Sequence, residues 1–276
     1  MTLSLLTNVG SQASLHQMAK NTSRTEKTMK QLSTGSRVFE AAVDPSGLAI
    51  TEVMRAKDRS LGQTIRNISE GISLFHTAEG SLGEISNLAI RMRELAMQSA
   101  NDTFDTTART LINKEFQDLR KEVDRISSTS QYNGRQLLDG SGINYEFQVG
   151  FRGTDQNRIT FDSSKLKTTT SSLGVASATI DSKAGAQGAL SKIDGMIEKL
   201  SHKRALLGSM GTRLETSNAN AHTDKINNSD AKSRIKDTDF AKATAEKAKL
   251  DIISNANIAT QGLHNNNPRK IARLLA

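Results

Sequence analysis

LSKIDGMIEKLSHKRALLGSMGTRL, residues 190–214, decides the fold. Its Leu190, Ile193, Ile197, Leu200, Leu207, Met210 and Leu214 recur at intervals of three, four or seven, the spacing that keeps one face of a helix apolar. Between them stand Lys192, Asp194, Glu198, Lys199, Lys203, Arg204, Arg213 and Glu215, which solvate the remaining faces. Gly208 and Gly211 lie inside this seam, where they are expected to permit close helix approach. A second stripe runs Ile68, Ile72, Phe75, Leu82, Ile85, Ala89, Met92, Ala96, and a third runs Ile112, Phe116, Leu119, Val123, Ile126. Three one-sided helices must cover one another, so they predict one bundle in which the stripes are core.

Outward from this bundle the pattern weakens. Residues 1–44 carry a thin stripe of Leu15, Met18, Met29 and Leu32, with Thr22 and Thr25 at the same spacing. Asp44-Pro45 reads as a helix start, Asp as cap and Pro at the first helical position, where its missing N–H costs nothing. That helix should run through the second stripe to about Asn101-Asp102, and another should cover roughly 106–127. Residues 128–134 break the period, and Tyr145, Phe147 and Val149 opposite Ile159 and Phe161 predict a hairpin at about 143–162. A Thr/Ser/Gly/Ala-rich connector follows from Lys165 to Gly188.

The 276 residues are 36% apolar and 4% aromatic, with no Trp, which suits narrow helical seams better than a thick core. Only Pro45 and Pro268 could interrupt a helix. The last 46 residues hold Ile235, Phe240, Leu250, Ile252, Ile253, Ile258, Leu263, Ile271, Leu274 and Leu275, too few large apolar side chains to offset the entropy of ordering that segment. Residues 1–44 fall short in the same way. Both ends are expected to be mobile in an isolated chain and to become helical on pairing with each other and with neighbouring copies. The fold class is therefore mainly α: a long antiparallel helical coiled-coil bundle with the N- and C-termini paired, plus a small β-hairpin.

Chemistry is sparse. His16, His76, His202, His222 and His264 are isolated, no Cys is present, and no phosphate-binding glycine loop or GxSxG elbow occurs, so neither a catalytic site nor a metal or cofactor is expected. A net charge of +8 raises nucleic acid or an anionic surface as a partner. The charges are dispersed without interleaved aromatics, which argues against nucleic acid and leaves a solvated face. The N-terminus lacks the layout of a cleaved signal, and no window approaches the roughly 20 apolar residues of a transmembrane span.

Several stretches together resemble bacterial flagellin. They are Leu6-Thr7-Asn8 with Leu32-Ser33-Thr34-Gly35-Ser36-Arg37, DPSGLAI at 44–50, GISLFHTAEG at 71–80, RMRELAMQSAN at 91–101, EVDRISSTSQYNGRQLLDG at 122–140 and RIKDTDFA at 234–241. Six motifs in the family's order cover residues 1–140 and about 190–260. Phe39-Glu40 and Pro45 depart from the pattern, and the tail HNNNPRKIARLLA is more basic than is usual in the family.

The resemblance implies a structural subunit that self-polymerises into an extracellular flagellar filament for motility. Terminal helices 1–44 and 231–276 would form an inner tube, and 45–188 with 189–230 an outer core without variable outer domains. Leu15, Met18, Met29, Leu32, Ile235, Phe240, Leu250, Ile253, Leu274 and Leu275 are the expected inner-tube residues. It also implies reading of the uncleaved N-terminus by the flagellar type III export apparatus, a cytosolic chaperone on the C-terminal helix, and contacts with filament cap and junction proteins. Arg91, Leu95 and Glu115 align with positions through which a Toll-like innate receptor contacts many flagellins; packing between subunits is the alternative role. The competing functions are a flagellar hook-filament junction protein and a basic helical adaptor for nucleic acid or membrane.

Overall fold

The computed structural model describes the backbone of residues 8–275 and the side chains of residues 8–266. Helices α1 (Val9–Thr34), α2 (Pro45–Ser99) and α3 (Thr106–Thr129) are followed by strands β1 (Gln131–Tyr132), β2 (Arg135–Gln136), β3 (Asn144–Gln148) and β4 (Arg158–Asp162). A short α4 (Thr170–Leu173) then leads into α5 (Lys183–Lys236) and α6 (Phe240–Leu275). The chain divides into two compact units, one made of Met1–Asp58 with Ile226–Ala276, the other of Arg59–Lys225.

Helix starts follow the polar caps in the sequence. Asn8 accepts from the Ser11 N–H at 3.0 Å, Asp44 from the Gly47 N–H at 2.9 Å, and Asp105 from the Ala108 N–H at 2.8 Å. The Gly47 N–H and then the Ser46 hydroxyl hold the Asp44 carboxyl below its ordinary range, so this cap is charged at neutral pH.

The Arg59–Lys225 unit carries the large core. Ile68, Phe75, Leu82, Ile85, Met92 and Leu95 of α2 meet Phe116 and Val123 of α3 and Ile193, Met196, Leu200, Leu207 and Leu214 of α5 in one buried cluster. The α5 face is centred on Met196, with Leu190 and Ile197 on its half-buried flanks. Strands β3 and β4 pair antiparallel with Tyr145 opposite Phe161 and Phe147 opposite Ile159. The alternation turns Tyr145, Ile159 and Phe161 inward. Phe161 then meets Phe75 edge-on, with ring centroids 5.2 Å apart.

Two expectations change here. Residues 165–188 do not form an open connector: Leu166, Leu173, Val175 and Ile180 are buried in the core, and α5 begins at Lys183. Ser182 causes the early start, because its hydroxyl accepts from the Gly185 N–H at 3.2 Å while its carbonyl takes the Ala186 N–H at 2.8 Å. Nor do Gly208 and Gly211 mark a close helix approach, since a Cβ at either would meet nothing within 4 Å. Close approach occurs at Gly71, where a Cβ would sit 2.8 Å from Phe147 Cδ1 and 3.1 Å from Leu214 Cδ1. Gly71→Val should therefore destabilise this unit by about 1–3 kcal/mol through overpacking, read as a lower thermal midpoint by circular dichroism. An unchanged midpoint would show that the hairpin does not press on α2.

Residues 131–136 form a second, smaller hairpin. Asn133 and Gly134 take φ of 48° and 76°, the positive values that a two-residue turn matching strand twist requires.

Candidate assembly surface

In the unit that holds the termini, α1 and α6 run antiparallel. At one end the Asn8 amide donates to the His264 carbonyl at 2.9 Å, and the Gln261 amide donates to the Ser11 hydroxyl at 2.6 Å. Midway, Arg24 pairs with Glu246 at 3.3 Å. At the other end the Thr238 N–H donates to the Gly35 carbonyl at 3.0 Å, and Phe240 lies over Gly35, whose φ of 65° ends α1.

The motif around Ser36-Arg37 caps α5. The Arg37 guanidinium donates to the Ile235 carbonyl at 3.2 and 2.7 Å, the Arg37 N–H to the Lys236 carbonyl at 2.6 Å, and the Ser36 hydroxyl to the same carbonyl at 3.2 Å. Carbonyls that a helix end leaves without intrahelical partners are thus satisfied by the α1–α2 linker. The break between α5 and α6 is held by that linker.

What the helix pair buries is poor. Its buried positions are Asn21, Thr28, Ala243 and Leu250, with Met18, Leu32 and Ile253 only half-covered, as is Ile235 at the end of α5. An unpaired buried amide costs about 1–3 kcal/mol, comparable to the roughly 1.5–3 kcal/mol returned by one buried Leu or Met.

What the pair exposes is rich. Leu15, Met29 and Phe240 are 52%, 50% and 55% exposed, and Ile252, Ile258 and Leu263 are 70%, 55% and 66% exposed. Of the eight expected inner-tube side chains among the described residues, Leu250 is thus inside the pair, four are half-buried and three face out; Leu274 and Leu275 lie outside the described side chains.

One stripe escapes a search for large apolar residues. Ala241, Ala245, Ala248, Ile252, Ala256, Ala259 and Leu263 recur at steps of three and four, and all are exposed. With a helix turn of 3.6 residues, they share a face opposite the one holding Ala243 and Leu250. Small residues at such spacing let another helix come close, and the Ala spacing was the available signal.

Arg91 and Glu115 come together in the other unit. Arg91 Nη2 lies 2.9 Å from Glu115 Oε1 and Nη1 lies 3.0 Å from Glu94 Oε2, all at exposed positions. These bonds, to Glu94 first and Glu115 next, raise the guanidinium pKa further. Leu95 is not on that surface; it is 2% exposed and belongs to the core. Among the described residues no group of three or more His, Asp or Glu is placed to hold a metal ion, and no helix is long and apolar enough to cross a membrane.

Residues 5–142 match the bacterial flagellin N-terminal helical region, and residues 190–275 match the bacterial flagellin C-terminal helical region. Flagellin of Halalkalibacterium halodurans is 37% identical over 94% of this chain and 94% of its own length. The crystal structure of Bacillus cereus flagellin covers 56% of this chain and 88% of its own, at 32% identity and a TM-score of 0.50. A structure described as a flagellar hook-associated protein from Vibrio parahaemolyticus shares the fold, with a TM-score of 0.60 over 71% of this chain and 100% of its own, at 14% identity. Matches at both helical ends and identity along nearly the whole length place this chain in the bacterial flagellin family.

Proposed function

We propose that this chain is the structural subunit of a bacterial flagellar filament, working outside the cell. The observation that carries this reading is the reversed polarity of the α1–α6 pair, whose large apolar side chains face outward around a weak seam. A surface of that kind is stable only when other copies cover it. When a patch on one copy meets a different patch on the next and the rotation does not close, a helical filament results.

In this reading residues 1–44 and 231–276 build an inner tube, and 45–188 with 189–230 build the outer core. The chain leaves by the flagellar type III apparatus, with a cytosolic chaperone covering the exposed face of α6 beforehand, and meets cap and junction proteins at the filament ends. Arg91 and Glu115 offer an exposed ion pair to a Toll-like receptor, while Leu95 lies in the core of the same unit.

The test is seeded assembly of purified protein, followed by electron microscopy and far-UV circular dichroism. Filaments that keep lengthening as monomer is added, with helicity rising, are expected. Short rings that stop growing would assign the chain instead to a hook-filament junction, a role consistent with its fold likeness to a hook-associated protein.

A further inference from the structure

The α1–α6 seam holds polar groups where a helix pair ordinarily places its largest apolar side chains. Asn21 is 3% exposed and its Nδ2 has no hydrogen-bond partner among the described residues; the same is true of the buried Asn257 Nδ2 and Gln261 Oε1. The Thr25 and Thr28 hydroxyls donate to carbonyls of their own helix, Asn21 at 2.9 Å and Arg24 at 3.0 Å, and so add nothing across the seam. Meanwhile Leu15, Met29, Ile252 and Leu263 stay in solvent. A pair selected for its own stability would have these two sets exchanged.

We infer that Asn21 and Asn257 are specificity-determining residues that keep the two terminal helices of one chain from closing on each other before neighbouring copies arrive. A polar side chain in a helical seam fixes register and partner at a cost in stability. Here that cost weakens the intramolecular pair wherever it forms, and only beside other copies does burial of the outward faces offset it. The chain thus carries a weak internal pairing and a strong external one, and the difference directs the termini into the filament. This rests on the reading that the ends become ordered on assembly.

Hydrogen–deuterium exchange on the full-length monomer tests it, comparing wild type with the double variant Asn21→Leu/Asn257→Leu, with Asn21→Ala and with Asn255→Leu. Asn255 is exposed on α6, so its replacement carries the helix-propensity gain of the Asn257→Leu change without touching the seam. In wild type, peptides from 9–34 and 240–266 are expected to exchange near the unfolded-chain rate. The double variant should slow exchange in both segments at least 10-fold with residues 59–225 unchanged, and Asn255→Leu should change it less than 2-fold. Asn21→Ala adds no bulk and should slow exchange about 3-fold even if the double variant aggregates. Equal effects of the seam and exposed variants, or no effect of the seam variants, would overturn the inference while leaving assembly-coupled ordering intact. Protected termini in the wild-type monomer would overturn both.

Discussion

A chain carrying Ile252→Asp and Leu263→Asp is expected to remain monomeric at concentrations where wild type polymerises, with the melting of its Arg59–Lys225 unit unchanged. Both side chains are about two-thirds exposed on α6, so the isolated chain gains little from them. In the proposed filament each becomes buried, and losing that burial costs about 1.5–3 kcal/mol per site. An aspartate there adds the larger cost of desolvating a charge without a partner. Together the two changes exceed roughly 4 kcal/mol per subunit contact, which at about 1.4 kcal/mol per tenfold raises the critical concentration at least a thousandfold. Sedimentation of seeded mixtures over a concentration series measures it directly. Filaments at the wild-type critical concentration would show that the outer face of α6 stays in solvent, and the assembly surface would then have to lie elsewhere.

The stripes of α2, α3 and α5 were legible in the sequence because a helix packed on one side repeats its apolar residues with the helical period. Asp44-Pro45 was legible for a local reason: the carboxylate and the proline each solve a problem specific to a helix start, and the Gly47 N–H is found on Asp44. Leu166, Leu173, Val175 and Ile180 follow no period, because irregular backbone folded into a core places side chains by the accident of each turn. The Asn133-Gly134 hairpin was visible only as an interruption of helix, although that dipeptide supplies both positive φ values of a tight turn.

Faces were harder to read than elements. The expected inner-tube set placed Leu15, Met29 and Phe240 together with Leu250, yet only the last turns into the helix pair. A stripe wide enough to bury is also wide enough to share between two partners, and nothing in one sequence says which partner takes which edge. The alanines of α6 were missed for a related reason. A small side chain adds little to apolar area while adding much to how closely helices can pack.

Leu95→Ala is expected to destabilise the Arg59–Lys225 unit by about 2–5 kcal/mol, since it removes a buried side chain from a packed cluster and leaves a cavity. For a unit of this size, each kcal/mol lowers the thermal midpoint by roughly 2–4 °C, so a shift near 10 °C should be plain by circular dichroism. Leu95→Met conserves volume and should cost less than about 1.5 kcal/mol. Arg91→Ala breaks only an exposed ion pair and should leave the midpoint where it was. These differences separate the two roles that the region could play for a Toll-like receptor. If the receptor contacts the surface, Arg91→Ala silences signalling in receptor-bearing cells at unchanged stability, whereas Leu95→Ala silences it only as far as the unit unfolds and Leu95→Met restores it. Full signalling from Arg91→Ala would remove the receptor from the account and leave the Arg91–Glu115 pair as a surface contact between α2 and α3.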